Sequence, residues 1–120
     1  MKRYQIAIYI RLSKEDDRCK EESNSITMQR SLLKRYVKDH FADYDLHEFC
    51  DDGYTGTNFE RPGVQDMLER VRNNEINCII VKDFSRFARD YIELGSYLEQ
   101  IFPFLGVRFI SLNDKYDSDN

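Results

Sequence analysis

The chain has 120 residues, 41% of them hydrophobic and 33% charged, with a formal net charge of −4. That is one domain's length with enough apolar material for one core. Glycine at 5, proline at 2 and aromatics at 13% exclude collagen-like, low-complexity and disordered classes. No apolar run approaches the ~18 residues of a spanning helix. An acidic surface repels a polyanion at long range, so composition taken alone favours a small-molecule enzyme over a nucleic-acid binder.

Gln5 to Ile10 is a short, continuous, β-branched apolar run, as expected of a strand buried on both faces. The stretch from Arg11 to Ser23 is polar and dense in charge. Asn24-Ser25 then offers a cap to a helix in which Ile26, Gln29, Leu33, Tyr36 and Val37 recur at helical spacing, closing at Lys38-Asp39-His40. Leu46 to Cys50 is a weaker strand that ends in Asp51-Asp52-Gly53. Tyr54 to Arg61 has turn chemistry and no period, which reads as a loop. Pro62 suits the first position of a helix with Val64, Met67, Leu68 and Val71 on one face, ended by Asn73-Asn74. Cys78 to Val81 is a buried strand. Asp90 to Phe104 is an amphipathic helix stopped near Pro103 and Gly106; Val107 to Leu112 is a last strand, followed by a polar tail from Asn113 to Asn120.

Strands alternating with helical crossovers predict an α/β fold over residues 1–120, a three-layer α/β/α sandwich with a mostly parallel central sheet. Cys19, Cys50 and Cys78 form no C-x-x-C pair, and His40 and His47 lack ligand spacing, so neither a disulfide framework nor a metal is expected. Cys50 and Cys78 read as small core residues and Cys19 as a loop thiol. With no apolar leader after Met1, the expected setting is reducing and cytoplasmic, with no membrane partner.

Ligands on such sheets bind beyond the carboxyl ends of the strands. Arg11 and Ser13 follow the first strand, Asp51 and Asp52 the second, and Lys82 to Arg89 the third. A lone loop serine commonly bonds local backbone. With no histidine placed beside it and no G-x-S-x-G elbow, a Ser-His-Asp hydrolase is not supported. Arg86 and Arg89, at i and i+3, share a face if their segment is helical, while Arg11 and Arg61 arrive from other loops. Several guanidinium groups around one hydroxyl suit phosphoryl transfer, where negative charge grows on phosphate oxygens. Taken singly, each arginine reads more readily as a solvated surface charge or as half of an ion pair, with Asp83 and Asp90 available as partners. There is no Walker-type phosphate loop. A receiver-type phosphoacceptor at Asp51-Asp52, with Lys82 as partner, would need its acidic pair after the first strand; a turn with capping duties suits these two better.

Tyr9-Ile-Arg11-Leu-Ser13 resembles the Y-x-R-x-S signature that opens the catalytic domain of serine recombinases, the resolvase/invertase family. The resemblance runs through Ser25-Ile-Thr-Met-Gln29, Asp52-Gly-Tyr-Thr-Gly56, Arg61-Pro-Gly63 and Lys82-Asp-Phe-Ser-Arg86-Phe-Ala-Arg89-Asp90, and so spans essentially the whole chain. Its wording is most similar to the large serine recombinases that move bacterial conjugative and mobilisable transposons. The resemblance implies that Ser13 attacks a DNA phosphodiester and becomes joined to the 5′ phosphate. It implies that Arg11, Arg86 and Arg89 surround that phosphate, that Arg61 is a further active-site arginine, and that Tyr9 and Gln29 support the site. It implies no cofactor and no metal, double-stranded DNA as partner, and a homodimer or tetramer of the full-length protein. It also implies a downstream dimerisation helix and DNA-binding domains absent from this chain, and hence weak DNA affinity. One position departs from the pattern: many members carry Asp before the first arginine of D-R-x-x-R, where this chain has Ser85, and Asp83 two residues earlier is the nearest substitute. Two other classes remain open, a flavodoxin-like regulatory or phosphate-binding module and a recombinase-fold protein without activity.

Overall fold

In the computed structural model, residues 3–12, 25–52, 61–88 and 90–119 are described. The apolar run near the start forms β1 (Tyr4–Leu12), whose Ile6, Ile8 and Ile10 point to one face and Ala7 and Tyr9 to the other, all fully buried. A strand buried on both faces must lie inside a sheet, and β1 pairs in parallel with β2 (Tyr44–Asp52) on one side and β3 (Cys78–Val81) on the other. β3 pairs in parallel with β4 (Arg108–Ser111), and β5 (Tyr116–Asp117) adds an antiparallel edge, giving the order β2-β1-β3-β4-β5.

Two cores follow from the two faces. Helix α1 (Ile26–His40), capped by the Ser25 hydroxyl accepting from Met28 N–H, buries Gln29, Leu33 and Val37 against the isoleucines of β1. Helix α2 (Pro62–Arg72) starts on its proline and buries Val64, Met67, Leu68 and Val71 on the opposite face, beside Tyr9, Ile79 and Phe109. The α/β/α layering and the mostly parallel sheet are those expected from the sequence. Among the described residues no helix is long and apolar enough to cross a membrane. Cys78 is a buried thiol pushed up to about 12 by burial, and Cys50 is half-buried against the α1 core.

The structure departs from the sequence reading in three places. β2 runs from Tyr44, well before Leu46, because an edge strand is held by main-chain pairing along all of β1, while its outward side chains stay polar. The single helix expected from Asp90 is α4 (Tyr91–Ser96), a π turn (Tyr97–Ile101) and α5 (Phe102–Leu105), capped at its start by Asp90 and at its end by Gly106 at φ 73. The widened turn lies just before Pro103, which cannot donate to the ladder and crowds the carbonyl one turn back. The polar tail forms β5: Lys115 turns the chain at φ 52, and Arg108 grips Asp117 through Nε and Nη2 at 2.9 and 2.6 Å.

That turn also steadies a short helix after β3, α3 (Phe84–Phe87). Asp114 Oδ2 accepts from Phe84 N–H at 2.8 Å and from the Ser111 hydroxyl at 2.6 Å, and Asn113 N–H donates to Lys82 O. One helical turn is unstable in isolation, so α3 depends on such outside bonds.

Two stability tests follow. A methyl group on Gly63, in the first turn of α2, would sit 2.8 Å from Cys50 O and 2.9 Å from Asp51 Oδ2. Gly63→Ala is therefore expected to cost about 1–3 kcal/mol in thermal or denaturant unfolding. Bonding to the Arg108 guanidinium holds the Asp117 carboxyl below its ordinary range. A carboxyl depressed by folding stabilises fully above its unfolded value of about 3.9 and loses that contribution as pH falls through the folded value. The stability advantage of the parent chain over Asp117→Asn should accordingly shrink as urea melts are taken from about pH 6 to about pH 3; a constant difference would contradict it.

Candidate active site

Side chains two apart on a strand share a face, so Tyr9 and Arg11 both project from the carboxyl-terminal half of β1 towards α2 and α3. Arg11 is fully buried. A guanidinium out of water must place its N–H groups on acceptors. Arg11 Nη2 donates to Ser85 O at 2.8 Å and Nε to Arg86 O at 3.3 Å. Arg86 returns the contact, its Nη1 donating to Arg11 O at 3.0 Å. The same carbonyl accepts from Gln29 Nε2 at 3.0 Å, and Gln29 Oε1 accepts from Arg11 N–H at 3.4 Å. Gln29 thus holds the end of β1 from α1, which explains a glutamine on that helix's buried face.

Arg61 precedes Pro62 and enters from the start of α2, 1% exposed. Its Nη1 donates to the Tyr9 hydroxyl and to Arg86 O, both at 3.0 Å, and its Nη2 donates to Phe87 O. The guanidinium also lies 5.6 Å from the Tyr9 ring centroid. Arg11 and Arg61 therefore share the carbonyls of Ser85, Arg86 and Phe87, and α3 is held from the sheet side by two arginines.

Asp51, 2% exposed, is the buried carboxylate of this region. It accepts from the Tyr9 hydroxyl at 2.6 Å and from the Gly63 and Val64 N–H groups at 2.8 and 3.0 Å. Arg61, at the N-cap position of α2, makes no side-chain cap, and Asp51 caps that helix from the end of β2. Burial pushes the Tyr9 phenol upward; the positive charge of Arg61 opposes this and the bond to Asp51 adds to it, so Tyr9 stays neutral. Beside the arginines, the Ser85 hydroxyl donates to Asp83 Oδ1 at 2.5 Å, and Arg86 Nε lies 3.8 Å from the same oxygen. Asp83 and Ser85 line an open groove of about 860 Å³ together with Tyr91, Leu94 and Tyr116. Among the described residues Arg11, Arg61, Lys82 and Arg86 are buried here beside one buried acid, Asp51, with Asp83 next to Arg86, an excess of basic side chains that attracts anions.

Of the residues singled out by sequence, Tyr9, Arg11, Gln29, Arg61, Ser85 and Arg86 meet at one sheet edge, with Asp83 beside them. Ser13 and Arg89 lie outside the described residues. The short helix that carries Arg86 ends at Phe87, and Ala88 is extended at φ −155 and ψ 137. The condition for a shared i, i+3 face, a helical segment, is therefore not met at Ala88. Asp51 does cap, and the helix it caps is α2, which begins at Pro62. Asp114 carries no sequence signal at all. For Asp51 the one available hint is that Arg61-Pro62-Gly63 opens a helix without a capping side chain of its own.

A family model described as "Resolvase, N terminal domain" matches residues 6–120. Among curated proteins none matches the chain. The N-terminal catalytic domain of TP901-1 integrase is similar in structure, with TM-score 0.82 and 24% identity over 97% of this chain and 82% of that one. A resolvase family site-specific recombinase from Streptococcus pneumoniae is similar at TM-score 0.76 and 26% identity, over 98% of this chain and 77% of the other. A serine recombinase from Sulfolobus solfataricus shares the fold at TM-score 0.69 and 24% identity, over 92% and 69% of the two chains.

Removing the Arg61 side chain would take away the buried guanidinium donors to the Tyr9 hydroxyl and to the Arg86 and Phe87 carbonyls. Arg61→Ala is expected to lower unfolding free energy by on the order of 3 kcal/mol. Arg35→Ala, at a side chain 84% exposed, should change it by less than about 0.5 kcal/mol in the same denaturant titration.

Proposed function

Since the chain belongs to the resolvase N-terminal domain family and is the catalytic domain of a serine site-specific recombinase, we propose that it breaks and rejoins double-stranded DNA through Ser13. The Ser13 hydroxyl oxygen attacks phosphorus, the bond from phosphorus to the 3′ oxygen breaks, and the 5′ phosphate remains on the serine. One proton leaves the serine and one arrives on the released 3′ hydroxyl. Resealing is the reverse displacement, and the phosphoserine ester conserves the energy of the broken phosphodiester.

The observation that carries this reading is the interlocked set of Arg11, Arg61 and Arg86, buried at the carboxyl ends of β1 and β3. Ser13 is next in sequence after Leu12, the last residue of β1. Arginine keeps its proton at neutral pH, so Arg11, Arg86 and Arg89 serve as fixed donors to the oxygens on which charge grows. Arg61, Tyr9 and Gln29 hold that constellation in place. Ser85 and Asp83 act as a hydrogen-bonded pair beside Arg86 and stand in for the acidic residue of the usual pattern. In the full-length protein this domain works on DNA as part of a homodimer or tetramer. The acidic net charge fits that arrangement, since the cations that matter are local.

The test is covalent attachment. The full-length protein is incubated with duplex DNA carrying the sequences that flank its gene, and the products are run on a denaturing gel. A protease-sensitive, slowly migrating species is expected. It should vanish in Ser13→Ala and fall by roughly a hundred-fold or more in Arg86→Ala. No such species from folded protein, or one that survives Ser13→Ala, overturns the proposal.

A further inference from the structure

Resting on the strand cleavage proposed above, we infer that Asp114, on the turn between β4 and β5, is a positioning residue for that step. It caps α3 from outside and thereby leaves the Asp83 carboxyl group to orient Arg86. Asp83 stands at the N-cap position of α3. An aspartate there ordinarily accepts from the N–H of the second or third helical residue, here Ser85 or Arg86. Asp83 makes no such bond. Its Oδ1 instead accepts from the Ser85 hydroxyl at 2.5 Å and lies 3.8 Å from Arg86 Nε. The first N–H of the helix, that of Phe84, goes to Asp114 Oδ2 at 2.8 Å.

The turn holds this exchange in place. Asp114 Oδ2 is itself fixed by the hydroxyl of buried Ser111 at 2.6 Å. Asn113 N–H donates to Lys82 O at 2.8 Å, and the Tyr116 ring meets Phe84 edge-on at 5.4 Å between centroids. The residues on either side of Asp83 are thus both pinned to the β4–β5 turn, and Asp83 is extended between them. Arg86 carries a rigid planar fork. With Nη1 on Arg11 O at 3.0 Å and Nε facing Asp83, the plane of that fork is set at two points. Without the outside cap, the orphan N–H groups at the start of α3 draw the Asp83 carboxyl group back to the helix. Arg86 then loses the contact that sets its tilt.

The experiment compares Asp114→Ala, Asp114→Asn, Asp83→Asn and the double variant Asp114→Ala/Asp83→Asn in the full-length protein. Ser118→Ala is the control, because it removes a side-chain bond of the same hairpin, to Phe109 N–H, that does not touch α3. The single-turnover rate of covalent adduct formation and the half-saturating DNA concentration are measured separately, on the duplex described above. Asp114→Ala should slow the adduct rate on the order of ten-fold, with half-saturation within about two-fold of the parent. Asp114→Asn keeps a capping oxygen and should stay within about two-fold of the parental rate. Asp83→Asn can still cap but exchanges the acid beside Arg86 for an amide. It should be at least as slow as Asp114→Ala, and the double variant no slower than Asp83→Asn, because both changes act through one contact. Ser118→Ala should lower the melting temperature and leave the rate alone. In the 120-residue chain the Arg86 Nε–H NMR signal should move in Asp114→Ala and Asp83→Asn and hold in Asp114→Asn. A merely structural Asp114 predicts a rate that recovers well below the melting temperature, losses that multiply, or an unmoved Arg86 signal, and any of these overturns the inference. Asp114→Asn as slow as Asp114→Ala, or an equally slowed Ser118→Ala, overturns it as well. If Asp114→Ala does not fold, Asp83→Asn decides, and a parental adduct rate there overturns the inference. An absent adduct in the parent protein sinks the recombinase chemistry and this inference with it. A normal parent with unaffected variants sinks the inference alone.

Discussion

A guanidinium withdrawn from water must find acceptors for its N–H groups, and at the carboxyl ends of β1 and β3 those acceptors are main-chain carbonyls. Arg11 and Arg86 each donate to the other's backbone, and Arg61 joins them on the carbonyls that close α3. An unpaired buried cation costs several kcal/mol, so the position of α3 is a condition for burying these side chains at all. The dependence also runs the other way. A single helical turn has little stability of its own, and α3 stays in place because the arginines hold its end while Asp114 holds its beginning.

This mutual support places function and stability on the same bonds. Carbonyl oxygens and phosphate oxygens are both acceptors for a guanidinium, so a cluster that satisfies itself on the backbone is already shaped for an anionic group. The neutral Tyr9 and the Asp51 carboxyl group complete it from β1 and β2. Composition misleads on this point. The net charge of −4 describes the whole surface, whereas electrostatic attraction at short range is decided by a few groups in a region that excludes water.

The parts of the site legible in the sequence are those whose signal is local. Tyr9 and Arg11 lie at the end of an apolar run that has no alternative to being a buried strand. Gln29 falls on the apolar face of a capped amphipathic helix, and Arg61 directly precedes a proline that starts another. Arg86 stands where the third strand gives out, and strand ends are where α/β sheets bind ligands. Hydrophobic period and capping chemistry suffice for these, because each depends on neighbours within a turn or two of the chain.

Tertiary structure alone decided the rest. β5 forms from a polar tail because Arg108 reaches Asp117 across the turn, and the extended Ala88 ends the short helix that carries Arg86. Asp51 caps a helix that starts eleven residues later, and Asp114 caps one thirty residues earlier. A hydrogen bond between residues far apart in sequence leaves no periodic trace, and its energy appears only when the sheet brings the strand ends together. Sequence by itself determined the layers, the alternation of strands and helices with a mostly parallel sheet, and the cationic side chains gathered at the strand ends. What those cations rest on, and which carboxylates lie beside them, was decided by the fold, because a buried charge is satisfied by whatever polar atom the packing delivers.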